Sequence, residues 1–132
     1  MSNVAGGVTK LMNSHPEFVN YLLELFESFG QVTAKRMFGS HGLFRDGLIF
    51  ALIIDDTLYL KVDENSKKDF EVRGLRPFEY EKKGKTVTVS YYQAPEEAME
   101  NSDEMNHWAS KAFAAALRAN TPKKKTGKKK NG

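Results

Sequence analysis

Apolar positions recur along this chain in two rhythms, and the switches between them outline its elements. In "SHPEFVNYLLELFESFG", Phe18, Leu22, Leu25, Phe26 and Phe29 fall at i, i+4, i+7, i+8 and i+11, which is one face of a helix. Ser14 followed three positions later by Glu17 reads as a capping box, with Pro16 in the first turn, where its missing N–H costs nothing, and Gly30 at the helix end. Strand signals follow in "QVTAKRMF", "GLF", "LIFALII" and "LYLKV". Asp46-Gly47 is the dipeptide of a tight hairpin, and Asp55-Asp56-Thr57 supplies a second short reversal. "ENSKKDFEVRG" predicts a short helix capped near Asn65 and stopped by Gly74, with Phe70 and Leu75 inward. A hairpin around Gly84 comes next. In it Phe78 and Tyr80 alternate with Glu79 and Glu81, and Val87 and Val89 with Thr86, Thr88 and Ser90, so one face is expected buried and the other wet.

"APEEAME" predicts a helical turn after Pro95. The final helix, capped by Ser102, carries a stripe of Met105, Trp108, Ala109, Ala112, Phe113, Ala116 and Leu117. The pattern predicts an α+β fold, a two-layer sandwich of one antiparallel sheet with helices on one face, in the order α-β-β-β-α-β-β-α. Residues 1–13, with Gly6-Gly7 and no period, read as a flexible leader, 14–120 as the domain, and 121–132 as a disordered lysine-rich tail.

Composition changes this picture little, but charge changes it more. A chain of 132 residues with 40% apolar content suits one domain with its own core. With no cysteine, disulfides, thiolate metal sites and thiol nucleophiles are excluded, and the expected location is the cytoplasm. The N-terminal stretch "MSNVAGGVTKLMN" has no apolar run of signal-peptide length, and nowhere do 18 apolar residues follow one another. The formal net charge of +3 owes much to Lys123, Lys124, Lys125, Lys128, Lys129 and Lys130; residues 1–120 carry 14 basic and 17 acidic side chains, a balance of −3. Those six tail lysines would give weak, nonspecific, salt-sensitive contact with nucleic acid.

Candidate chemistry is sparse. Gly39-Ser40-His41-Gly42 matches the GXXG loop with which KH domains clamp a nucleotide backbone, but strand-like flanks favour a turn. His15, His41 and His107 lack a second ligand at i+3 or i+4, and no metal is expected. Asp55 and Asp56 serve a turn better than acid/base chemistry, and Ser40 and Ser90 lack a nucleophile motif, so no catalytic residue or cofactor is expected. An enzyme would need a pocket gathering His41 or His107 with carboxylates. Phe38, Phe44, Phe50, Tyr59, Tyr91 and Tyr92 form either core or a stacking platform for bases. Lys35, Arg36 and Arg45, close together across the first hairpin, are the candidate contact patch for a protein or nucleic acid.

"RMFGSHGLFRDGLIFAL", then "LYLKVDE", then "PFEYEKKGKTVTVSYYQAPEE", followed by the Trp108 helix, resembles the TfoX N-terminal domain family, also called Sxy-like proteins. The resemblance runs from about Glu17 to Ala119, with Arg36, Met37, Phe38, Gly39, Gly42, Asp46 and Gly47 as its motif positions. It implies a fold similar to type III secretion chaperone-like domains. It also implies a link with regulators of natural competence and DNA uptake, whose longer members add a C-terminal helical domain. It transfers no catalytic residue. The expected function is a non-enzymatic regulatory binding module acting on transcription, with a protein of the transcription machinery or a regulator as partner; the alternative is a chaperone-like protein or peptide-binding adaptor.

Overall fold

The hairpin expected at Asp46 and Gly47 is the first of three alike reversals in the chain. In the computed structural model, which describes residues 15–37 and 39–121, Asp46-Gly47, Asp55-Asp56 and Lys83-Gly84 all have positive φ at both central positions. That geometry matches the right-handed twist of paired strands, so each turn brings its strands together without splaying them.

The elements are α1 (Pro16–Leu25), β1 (Val32–Met37), β2 (Ser40–Arg45), β3 (Leu48–Ile54), β4 (Thr57–Lys61), α2 (Lys67–Glu71), β5 (Pro77–Lys82), β6 (Lys85–Gln93), a 3-10 turn (Glu96–Met99) and α3 (Ser102–Asn120). The expected α+β order holds, with the stretch ahead of α2 resolved into four strands because the short "GLF" signal grows into all of β2. One antiparallel sheet results, ordered β1-β2-β3-β4-β6-β5. After β4 the chain crosses through α2 to the far edge and returns as β6, which pairs Leu60 with Tyr92 and Lys61 with Tyr91.

The core lies between one sheet face and the helices. Leu43, Phe50, Ala51, Ile53, Leu58 and Leu60 from the sheet meet Leu22 and Phe26 of the first helical segment and Met105, Trp108, Ala109, Ala112 and Phe113 of α3. Phe26 and Phe113 stand edge-on to Phe50, at ring separations of 5.5 and 6.2 Å. Phe50 can turn to this side because the β2–β3 register slips there: Leu43 faces Ala51 and Phe44 faces Ile49, leaving Phe50 as the extra residue of a bulge. Of the expected α3 stripe only Leu117 departs, standing 47% exposed.

The caps differ from expectation by short steps. α1 starts after His15, whose side chain makes no capping bond but whose backbone N–H donates to Asp56 Oδ1 at 2.8 Å, tying the helix start to the β3–β4 turn. Asp63 opens the α2 segment by accepting from the N–H groups of Asn65 and Ser66, so Asn65 is not its cap. Asn101, one residue before Ser102, caps α3 by accepting from Glu104 N–H at 2.9 Å. At α2 and α3 a neighbouring side chain of the right chemistry, Asp63 or Asn101, reaches the free N–H groups first. The expected leader, Ser14, Phe38 and the tail lysines lie outside the described residues.

Candidate functional site: the open face of the sheet

Strand register assigns every side chain to one of two faces. Lys35, Gly42, Leu52, Tyr59 and Gln93 pair in sequence across β1, β2, β3, β4 and β6, forming one row on the face that the helices leave bare. Beside it run Phe44 and Ile49, then Met37 and Ser40, then Ile54 and Thr57. On β5 and β6 the same alternation adds Phe78, Tyr80, Val87, Val89 and Tyr91, with Lys82 and Lys85 paired near the hairpin tip. Apolar and aromatic groups therefore occupy a surface with no helical cover among the described residues. This corrects the expectation for the β5–β6 hairpin: its apolar side is half-buried among its own neighbours, and Tyr80 is 41% exposed.

The face is concave. Met37 lies on β1 and Phe78 and Tyr80 on β5, the two edges of the sheet, yet all three line one cleft of about 420 Å³ together with Ser40, His41, Leu52 and Ile54. Aromatic contacts build its β5 wall: Phe78 stacks on Tyr80 at 6.1 Å and meets the Tyr59 ring edge-on at 5.3 Å. Gly42 forms part of the floor under the first row. A Cβ there would come 2.6 Å from Met37 Sδ and 2.9 Å from Ile49 Cδ1, so a bare backbone lets those two side chains settle against the strand.

Charge on this face is one-sided. Lys35, Lys61, Lys82 and Lys85 occupy its strand positions, and no Asp or Glu does. Lys35 lies over the Phe44 ring at 5.0 Å and Lys61 over Tyr91 at 5.1 Å, the position an ammonium takes over an aromatic quadrupole. Burial raises the Tyr91 phenol above its usual range, and burial followed by the Asp55 charge raises Tyr59, so both keep their protons at neutral pH. His41 borders the cleft but stands on the alternate register, paired with Arg36 and Ile53, and its Nδ1 is enclosed with no hydrogen-bond partner among the described residues. Burial, then the facing Arg36 charge, lowers its pKa, which leaves the imidazole neutral at neutral pH.

The residues singled out from sequence are divided by this geometry. Lys35 belongs to the open face. Arg36 pairs with His41, and Arg45 pairs with Val32, on the alternate register. The Arg45 guanidinium is held between the rings of Phe29 and Phe113 at 4.5 and 4.6 Å, and Gly30 makes room for it, since a Cβ at Gly30 would meet Arg45 Nε at 2.8 Å. The motif positions serve this frame: Met37 lines the cleft, Gly39 turns the chain at positive φ, Gly42 floors the face, and Asp46-Gly47 closes the hairpin. Of the aromatic set, Phe44, Tyr59 and Tyr91 share the open face, whereas Phe50 and Tyr92 point to the helices. Tyr92 donates to Glu71 Oε2 at 2.7 Å, and that bond, aided by burial, pushes its phenol up to about 12. Asp55 and Asp56 form a turn, and Asp56 also accepts from the His15 backbone. Among the described residues no three His, Cys, Asp or Glu side chains gather as a metal site would require, and no helix is long and apolar enough to cross a membrane.

Sequence reasoning missed Phe78, Tyr80, Leu52, Lys61, Lys82 and Lys85 as one surface. The available signal was charge parity: in "PFEYEKK" the acids share one alternation and the aromatics with Lys82 the other.

Fold and face together define a small α+β domain, roofed on one side of its sheet and bare on the other among the described residues. The chain belongs to the TfoX N-terminal domain family, which matches residues 24–116. It is 31% identical over 111 residues to the DNA transformation protein TfoX1 of Aliivibrio fischeri, covering 72% of this chain and 51% of that protein. It is 28% identical over 95 residues to Protein Sxy of Escherichia coli, covering 72% of this chain and 46% of that one. The chain thus spans about half the length of the curated relatives it matches.

Proposed function

We propose that this chain is a non-enzymatic, cytoplasmic regulatory module of the TfoX type that acts on competence-linked transcription through protein contacts on the open face of its sheet. The observation that carries the reading is the bare apolar trough, rimmed by lysines that have no carboxylate partner among the described residues. A buried core gains nothing from such an arrangement, whereas a docking surface gains both apolar contact and charge steering. Similarity to a protein named for DNA transformation supplies the process. The lysines of the tail, Lys123 to Lys125 and Lys128 to Lys130, add weak nonspecific attraction to nucleic acid.

A chimera tests this reading. This chain replaces the matched half of TfoX1 in an Aliivibrio fischeri strain lacking that protein, and competence-gene transcripts are measured. Restored transcripts, lost again with Lys35→Glu and Lys61→Glu together, are the expected result. A well-expressed chimera that restores nothing overturns it. The same cleft favours a second reading, a chaperone-like adaptor that holds peptides, and suppression of the aggregation of an unfolded client would select that one.

A further inference from the structure

We infer that the concave open face is a docking groove for an acidic amphipathic helix of a partner protein, with apolar residues of that helix seated in the Met37–Tyr80 cleft and its carboxylates on Lys35, Lys61, Lys82 and Lys85. The inference rests on the reading of the chain as a protein-binding module and names the chemistry of what it binds. Charge selects the occupant. Four lysines and no carboxylate occupy the strand positions of this face, although residues 1–120 as a whole carry a balance of −3. A second copy presenting the same face would set lysines against lysines. Residues 1–14 contain Lys10 and no carboxylate, and residues 122–132 contain six lysines and none, so neither stretch complements the face. The complement to these lysines is negative.

Shape and lining separate an acidic helix from a nucleic acid. The cleft is walled by Met37, Leu52, Ile54, Phe78 and Tyr80, side chains that give a seated group van der Waals contact and almost no hydrogen-bond donors or acceptors with which to read base edges. Phe78 is already engaged by Tyr59 on one side and Tyr80 on the other, and Phe44 and Tyr91 lie under lysines, so few ring faces stand free for bases. A helix offering Leu-like anchors at i, i+3, i+4 and i+7 fills a trough of this kind, with flanking carboxylates meeting the ammonium groups on its rim.

Fluorescence anisotropy on the full chain tests the groove with four labelled probes. The first is a peptide of about 18 residues, long enough for a marginal helix, with Leu at that spacing and Glu and Ala elsewhere. The others are a shuffled peptide of the same composition, the Leu peptide with Lys for Glu, and an oligothymidylate. The first should bind, weakening as salt rises from about 50 to about 200 mM. The shuffled peptide should bind about tenfold more weakly, a difference of about 1.4 kcal/mol, the Lys peptide should not bind measurably, and weak oligothymidylate binding through the tail lysines should be unchanged by substitutions on the face. Tyr80→Ala, and separately Lys35→Glu with Lys61→Glu, should each weaken the first peptide about tenfold or more while the melting temperature stays within a few degrees. Equal binding of the shuffled peptide, binding unaffected by these variants, or oligothymidylate binding that the variants abolish each overturns the proposal. The chimera reads independently of it: peptide binding without restored transcripts fails the transcription reading and leaves the groove standing, and restored transcripts without peptide binding do the reverse.

Discussion

Two rows of residues, one position apart along the same five strands, have opposite roles. Ala34, Leu43, Ala51, Leu60 and Tyr92 form the row beneath the helices, and Leu43, Ala51 and Leu60 are fully buried. Lys35, Gly42, Leu52, Tyr59 and Gln93 form the row on the other side, none of it roofed. The open face beyond this row also carries apolar groups, Met37, Phe44, Ile49, Ile54 and Phe78 among them, so hydrophobicity alone does not separate core from surface in this sheet. Ion pairing does. Four ion pairs among the described residues join helices or the segments flanking them, Lys67 with Glu64, Arg73 with Glu97, Lys111 with Asp69 and Arg118 with Asp63, and His15 at the start of α1 contacts Asp56 of the β3–β4 turn. On the open face Lys35 and Lys61 lie over rings instead. A sheet with one face committed to stability can leave the other free for contacts.

Substitutions on neighbouring rows give the sharpest test of this division. Phe50→Ala, which empties the space between Phe26 and Phe113, should cost about 3–5 kcal/mol in urea unfolding, whereas Leu52→Ala, half-buried on the open side, should cost about 1–2 kcal/mol. Equal losses would abolish the distinction between the faces. Gly42→Ala should cost about 1–3 kcal/mol, because the new methyl displaces Met37 and Ile49, and it should weaken groove binding as well. A matched pair of cations comes next. Arg45→Ala loses contacts with two rings and should cost about 1–2 kcal/mol with no change in peptide affinity. Lys35→Ala, on the exposed rim, should do the opposite, changing affinity and leaving the unfolding midpoint nearly fixed.

The smallest effect belongs to acid. Two bonds from Arg118, at 2.6 and 2.9 Å, hold the Asp63 carboxyl below its usual range. A carboxylate depressed in the folded state contributes stability that is fully present above its unfolded value of about 3.9 and is lost as pH falls through the lower folded value. Thermal melts below about pH 4 should therefore show a loss that Arg118→Ala removes, and only a modest one, since the pair is partly exposed to solvent.

Much of the fold was legible because it is written locally. The period-two runs, the Asp46-Gly47 turn and the Trp108 helix all declare themselves within a few residues of chain. The identity of the open face was not. Alternation in "PFEYEKK" says that its two sides differ, but which side the helices cover depends on β6 inserting beside β4, a pairing set by residues far away in sequence. Arg45 shows the same limit at a single position. Beside Lys35 and Arg36 it reads as one more surface cation, and only the approach of Phe29 and Phe113, with the room left at Gly30, reveals it as part of the packing.

The two-residue reversals also set an order of assembly. Strands β1 to β4 are sequential neighbours, so this meander closes only short loops and should form early on the folding pathway. The β5–β6 hairpin also closes locally, but its insertion beside β4 must span the α2 crossover and waits on a longer loop. Phe78 and Tyr80 arrive with that hairpin, and they are the far wall of the cleft. During synthesis the early strands can pack on α1 before β5 and β6 emerge, so the cleft has both of its walls only when the last strands are in place.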